Sequence, residues 1–125
     1  MSGPPDIDDQ LLRGLLDTLV MDLLREGPNY GFGIREALNE RLGADAGIVK
    51  ESTLYPLLHR LADQGYLASH QERGDRGRPR RYYRLTEDGV AFLETRLEEW
   101  RRVAGVLDRT LLRSPDERAS PSSAS

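Results

Sequence analysis

The chain has 125 residues, 38% of them hydrophobic, with a formal net charge of −3 and no cysteine. This length predicts one domain with short flanking segments, and the lack of cysteine excludes disulfides and thiolate metal sites. No apolar run approaches the roughly 20 residues of a membrane span, and the N-terminus has no signal-peptide pattern, so we expect a cytoplasmic protein with no membrane partner.

The first predicted helix runs from Asp8 or Asp9 to about Arg25, behind residues 1–7, which we expect to be disordered. Acidic residues suit its N-terminus, and Gly27-Pro28 ends it. Its leucines form a stripe wider than a single core requires. We therefore expect one edge to pack inside the protomer and the other to meet a partner subunit. The interface candidates on this helix are Leu12, Leu16 and Leu19.

A second helix is predicted from about Tyr30 to Leu42, with Asn29 as its N-cap and Gly43 at its end. Apolar residues four positions apart supply its inner side. The apolar residues between Gly47 and Lys50 then predict a very short strand.

The third predicted helix is capped by Ser52 or Thr53 and ends at Gly65. Counted from either cap, Pro56 falls at the third or fourth helical position, where its missing N–H costs little. The inward residues at helical spacing are Leu54, Leu58 and Leu61. The outward residues are Thr53, Pro56, Arg60 and Asp63.

Two strands are predicted at Leu67 to Arg73 and Arg80 to Leu85, joined by a turn rich in glycine and proline. Six arginines and two acidic residues lie between His70 and Leu85, which gives a local net charge of +4. DNA phosphates respond to charges within a Debye length of about 8–10 Å, so this hairpin can dock on DNA although the chain is acidic. The alternative is a charged hairpin that is only solvated.

A capped helix directly before a basic hairpin is typical of a winged helix-turn-helix, whose helix enters the major groove of DNA. The candidate DNA-binding residues are Tyr30, Lys50, Ser52, Thr53, Tyr55, Arg60, Arg76, Arg78, Arg80 and Arg81. Two alternatives remain open: the hydroxyls of Ser52 and Thr53 only cap the helix, and Tyr55 packs against the hairpin.

The last predicted helix opens at Thr86 and runs to about Leu112. Its apolar residues repeat at spacings of three and four, which is typical of helices that pair with one another. The interface candidates on it are Leu93, Leu97, Trp100, Ala104, Leu107 and Leu111. Trp100 packs in the dimer or, with Leu97 and Leu15, offers a flat surface to a small aromatic or planar hydrophobic effector.

Nothing in the sequence predicts catalysis or metal binding. His59 and His70 have no cysteine and no paired acidic residues at ligand spacing. The chain also lacks a Gly-rich phosphate loop and a nucleophile-elbow motif. We therefore expect a protein that is not an enzyme and holds no metal or cofactor.

From Leu11 to Trp100 the chain resembles the PadR family of bacterial transcriptional regulators. Four segments in this order and spacing support the resemblance. They are Gly27-Pro28-Asn29-Tyr30-Gly31-Phe32-Gly33-Ile34, Ser52-Thr53-Leu54-Tyr55-Pro56-Leu57-Leu58-His59-Arg60-Leu61, Gly65-Tyr66-Leu67, and Gly77-Arg78-Pro79-Arg80-Arg81-Tyr82-Tyr83-Arg84-Leu85-Thr86-Glu87-Asp88-Gly89.

The resemblance implies a homodimer, usually a repressor, that binds inverted repeats near promoters and pairs through its first and last helices. A single C-terminal helix is similar to the short branch of the family. Some short members bind flat aromatic compounds between protomers, near a tryptophan that stands where Trp100 does, and many release DNA when an effector binds.

Together these observations predict a mainly α fold with a small β-hairpin: a winged helix-turn-helix over residues 8–86, a dimerisation helix over 87–112 and a disordered tail over 113–125. The expected function is sequence-specific DNA binding by a homodimeric, effector-responsive repressor on a palindromic operator in double-stranded DNA. The alternative from another class is a winged-helix protein-interaction module that does not bind DNA.

Overall fold

The computed structural model describes residues 8–73 and 77–114. The elements follow in the order α1 (Asp9–Leu24), β1 (Asn29–Tyr30), α2 (Gly31–Leu42), a 3₁₀ helix (Gly43–Ile48), α3 (Glu51–Asp63), β2 (Leu67–Arg73), β3 (Pro79–Leu85) and α4 (Glu87–Thr110). They divide into two compact units, one up to Leu93 and one from Glu94. The predicted fold class, mainly helical with a small antiparallel sheet as in a winged helix, is confirmed. The predicted disorder of residues 1–7 and 115–125 lies outside the described residues.

Helix α1 begins where the sequence predicts. The Asp8 carboxylate accepts hydrogen bonds from the backbone N–H groups of Gln10 (2.9 Å) and Leu11 (3.3 Å), two donors that a helix start leaves free. The buried apolar residues of α1 are Leu12, Leu16, Val20, Met21, Leu23 and Leu24. Leu11 is 64% exposed, so α1 has apolar surface beyond what the core of the single chain uses.

The sheet has three strands in the order β1-β3-β2, all antiparallel, and β1 was not predicted. Asn29 and Tyr30 pair with Tyr83 and Tyr82 of β3. Asn29 is therefore not the N-cap of α2. Its side-chain oxygen accepts the Tyr30 N–H (2.8 Å), and Tyr30 precedes α2 in an extended conformation without a side-chain cap.

Helix α3 starts two to three residues earlier than predicted, directly after Lys50, and neither predicted cap acts as one. Pro56 is consequently the sixth helical residue, and the Ser52 carbonyl loses the N–H donor that an α-helix normally supplies. The segment before α3 is a 3₁₀ helix, not the predicted short strand, and it is followed by the buried Val49.

The core of the first unit lies between α1, α2, α3 and the inner face of the sheet. The members that are at most 1% exposed are Leu16, Val20, Met21, Ile34, Leu38, Leu54, Leu57, Leu58, Leu61 and Leu93. Ion pairs link the helices at the edges of this core. Arg41 of α2 bonds to Asp22 (2.9 Å) and Glu26 (3.0 Å) near the end of α1. These contacts fix the end of α2 against the end of α1.

Candidate nucleic-acid interface

The start of α3 presents polar side chains at the surface. Lys50 and Ser52 are exposed and Thr53 is half-buried. Because no side chain caps this helix, the open question about these hydroxyls is resolved against a capping role. Tyr55 lies with its ring against Gly31, where a β-carbon would collide with it, and remains 38% exposed. Tyr55 therefore packs on the start of α2 and still reaches solvent.

We call β2, β3 and the turn between them the wing. Of its described arginines, Arg73, Arg78, Arg81 and Arg84 are exposed and Arg80 is half-buried. Alternation along β3 buries Tyr83 and turns Arg80 and Tyr82 to the other face. The Arg80 guanidinium carbon lies 4.5 Å above the ring centre of Tyr30, a cation–π contact that restrains this arginine. Tyr30 also packs against Tyr82, with ring centres 5.4 Å apart.

Arg78 and Arg81 of the wing are exposed and available to a ligand. Arg76, the remaining wing arginine among the candidates, lies outside the described residues. The wing thus presents at least three described arginines on the same structural element, and one of them, Arg80, is held by an aromatic ring.

A recess of about 340 Å³ separates α3 from the wing, and we call it the wing recess. Its lining includes Tyr30, Phe32, Tyr55, His59, Arg80 and Arg81. Phe32 was not predicted as a site residue. The sequence signal that could have identified it is its position on α2, because Phe32 does not share the helix face of the buried Ile34 and Leu38. Aromatic faces next to guanidinium groups suit a nucleic-acid strand, whose sugars are apolar and whose phosphates are anionic.

Arg60 has a different environment from the other candidates. Its guanidinium donates to the Asp17 carboxylate of α1 at 2.6 Å, and Asp17 is only 17% exposed. Arg60 therefore ties α3 to α1. Arg13 of α1 lines a cleft of about 240 Å³ together with Ser52 and Thr53, a basic residue near α3 that the sequence did not single out.

Burial raises the pKa of Tyr83 above its ordinary value of 10.0. The positive charge of Arg81 opposes this shift, and the neighbouring Tyr55 phenol adds to it. The folded state thus holds the Tyr83 proton more tightly than the unfolded chain does. This contribution to stability is complete below about pH 10 and is lost as the pH rises through the pKa of the folded state.

The Tyr83→Phe variant should therefore lose less stability than the wild type between about pH 9 and about pH 11, because it removes the phenol that ionises more readily in the unfolded chain than in the folded state. Urea unfolding at each pH measures the change. Tyr82→Phe on the other face of β3 is the matched control, and it should leave the alkaline loss in place because Tyr83 is retained. Parallel pH profiles for wild type and Tyr83→Phe would contradict the assignment.

The predicted interface residues fall into two groups. Leu12, Leu16 and Leu93 are at most 8% exposed and belong to the core of the single chain, so they offer no surface to a partner. The half-buried residues are Leu15, Leu19, Leu97, Trp100 and Leu107. The exposed ones are Ala104 and Leu111, and α4 adds Val103 and Val106 to its exposed apolar surface.

Within residues 8–73 and 77–114, no three histidine or acidic side chains are grouped closely enough to hold a metal ion. None of the helices described there has the combination of length and apolar composition that a membrane crossing requires.

Comparisons of this chain with known protein families, solved structures and other sequences extend these observations. A model of the transcriptional regulator PadR-like family matches residues 20–95. A solved transcriptional regulator from Clostridium thermocellum is 31% identical, with 82% of this chain and 99% of that chain covered and a TM-score of 0.73. A PadR family transcriptional regulator from Eggerthella lenta is 38% identical, with 84% and 88% covered and a TM-score of 0.69. An uncharacterized protein of Lysinibacillus sphaericus is 29% identical over 102 residues, 82% of this chain and 93% of its own length.

Proposed function

We propose that this chain, which belongs to the PadR-like family of transcriptional regulators, is a homodimeric repressor that binds a palindromic operator in the cytoplasm. Family membership makes it a DNA-binding regulator and not an enzyme. Repression, the dimeric state and the operator are the parts that we propose.

The observation that carries the proposal is the placement of α3 beside a basic wing, with the wing recess between them. Tyr55 and His59 of α3 and Arg80 and Arg81 of the wing line this recess. Lys50 and Ser52 are exposed at the start of α3. An α-helix fits the major groove of B-DNA, while arginines on a wing reach the backbone or the neighbouring minor groove. In a single binding mode, α3 would therefore contact bases while the wing contacts the backbone or the minor groove.

The apolar surface of the single chain supports the proposed dimer. The row of apolar residues on α4, at the spacing of paired helices, is incompletely covered by the single chain: Leu97, Trp100 and Leu107 are half-buried, and Ala104 and Leu111 are exposed. Exposed apolar residues in such a row indicate a protein partner. A second copy of the chain supplies the same row, and its α3 then meets a second half-site about 34 Å along the duplex.

Effector response is retained as a prediction. Trp100 and Leu97 are half-buried on α4, and Leu15 is half-buried on α1. Such positions leave part of each apolar side chain accessible, as a planar hydrophobic effector would require.

The proposal is tested by a gel shift with the wild-type protein and duplex DNA from the promoter upstream of its own gene, in the presence of excess unrelated competitor. We expect a shifted band that survives competition. A protein-interaction module would give no band that survives competitor, and this result would contradict the proposed function.

Arg80→Ala should weaken binding to every duplex sequence. Removing one phosphate-contacting charge should also reduce the slope of log K against log salt by about 1. Fluorescence anisotropy with labelled duplexes over a salt series measures both quantities. Arg25→Ala is the matched control, because Arg25 pairs with Asp22 at the C-terminal end of α1, and Asp22 also bonds to Arg41 at the end of α2 opposite Tyr30. An unchanged salt slope for Arg80→Ala would remove this arginine from the contact surface.

A further inference from the structure

Phe32 is a large aromatic residue at the surface of the folded chain, with 53% of its area exposed. It occupies the second position of α2, and the buried positions of that helix are Gly31, Ile34 and Leu38. Phe32 is not isolated at the surface, because Tyr30 and Tyr55 line the same recess as Phe32, beside Arg80 and Arg81. A group of accessible aromatic rings beside a basic surface points to a ligand contact.

The neighbours of Phe32 place it between the two DNA-facing elements. The preceding residue, Gly31, lies under the Tyr55 ring of α3. Tyr30 lies under the Arg80 guanidinium of the wing and 6.5 Å, ring centre to ring centre, from Phe32. Phe32 thus lines the α2 side of the wing recess. The two residues before it, Gly31 and Tyr30, contact α3 and β3, respectively.

The chemistry of phenylalanine limits which groups of DNA the Phe32 ring can recognise at the wing recess. Its ring neither donates nor accepts a conventional hydrogen bond, so it cannot distinguish the polar edges of bases. The C5-methyl group of thymine is the apolar feature on the major-groove edge of a base pair, and apolar side chains contact it. Thymine methyl groups also project beside the backbone, where the first helix of a helix-turn-helix crosses DNA.

We propose that Phe32 is a specificity-determining residue that contacts the methyl group of one thymine in each operator half-site. This inference rests on the proposed function, since it assigns a base contact within the same interface. It adds a residue of α2 to a surface otherwise made by α3 and the wing. The expected preference is for thymine over cytosine at that position and, more narrowly, for thymine over uracil.

The experiment combines Phe32→Ala with uracil substitution. Each thymine of the operator half-sites is replaced in turn by uracil, which removes the methyl group and keeps base pairing. Wild type should lose about fourfold in affinity at one position, the value of burying one methyl group. Phe32→Ala should bind the unmodified operator at least fourfold more weakly and lose nothing further at that position.

Two matched variants sharpen the result. Phe32→Leu keeps an apolar side chain and should retain part of the uracil discrimination. Leu112→Ala shortens another exposed apolar side chain, beyond the end of α4, and should leave the uracil profile unchanged. Circular dichroism checks that all three variants keep the fold.

The outcomes separate the two levels of the proposal. If uracil costs wild type and Phe32→Ala the same affinity at every position, the thymine contact is overturned while operator binding stands. If Phe32→Ala weakens operator and competitor DNA alike without uracil dependence, the contact is to the backbone and the specificity role is overturned. If wild type binds no duplex, the proposed function fails and this inference fails with it.

Discussion

Replacing Leu107 by aspartate should convert the proposed dimer to a monomer and lower operator affinity by about 10²–10⁴-fold. Leu107 lies half-buried in the apolar row of α4. A carboxylate there must either lose its hydration or force the partner helix away. A monomer contacts one half-site at a time, so the linked second contact disappears. Sedimentation velocity measures the loss of mass, and anisotropy on the palindromic duplex measures the loss of affinity.

The control introduces the same acid on the opposite face of the same helix. Thr95 is exposed and lies away from the apolar row, so Thr95→Asp should remain dimeric with wild-type affinity. Circular dichroism distinguishes a folded monomer from an unfolded chain. A Leu107→Asp protein that sediments at twice the 14.1 kDa of the single chain would place the dimer surface elsewhere.

The helices and the wing were predictable because their signals are local. A capping aspartate, leucines at helical spacing and a glycine after the last turn depend on residues within a few positions of one another. Helix α1 begins at the predicted position, with Asp8 as its cap, and Thr86 opens α4 by accepting the Gly89 N–H at 2.9 Å. The inward set of α3 is also as predicted, with Leu57 added to it.

The short strand β1 was not predictable from local pattern. Two residues carry no periodicity, and Asn29 has the composition of a helix cap. Its strand character comes from pairing with Tyr83 of β3, more than fifty positions later in the chain. The same pairing places Tyr30 beside Tyr82 and beneath Arg80, and so creates the aromatic support of the wing arginine.

The sequence indicated that the candidate site is rich in arginine, but it did not indicate which residue each arginine contacts. The basic character of the wing is visible in the sequence as a local excess of positive charge, whereas the contact partner of each arginine depends on the tertiary structure. Arg60 fits the outward pattern of α3 and yet bonds to Asp17, because α1 packs along that side of the helix. Phe32 was missed because it carries no charge or hydrogen-bonding group, and because its position beside Tyr30 in the wing recess depends on tertiary contacts.

Gly89→Ala should destabilise the fold by about 1–3 kcal/mol, although alanine is the better helix former by about 1 kcal/mol. A β-carbon at this position would collide with the backbone carbonyl oxygen of Tyr66 and lie 2.8 Å from Cδ1 of Leu85. The Tyr66 carbonyl cannot move freely, because it accepts the Thr86 N–H at 3.1 Å and the Thr86 hydroxyl at 3.1 Å. The clash therefore strains the start of α4 against the end of α3 and the strand that follows it.

Urea unfolding at one fixed protein concentration measures the effect, because a dimer's stability depends on concentration. The matched control is Gly105→Ala in the same helix, where the nearest atom to the added carbon is the mobile Nη1 of Arg109 at 3.3 Å. Helix propensity should dominate there and raise stability by up to about 1 kcal/mol. Opposite signs for the two substitutions would show that contact with Tyr66, and not helix propensity, requires glycine at position 89. Equal stabilisation of both variants would show that the Tyr66 carbonyl can shift, and would contradict the close packing described at the start of α4.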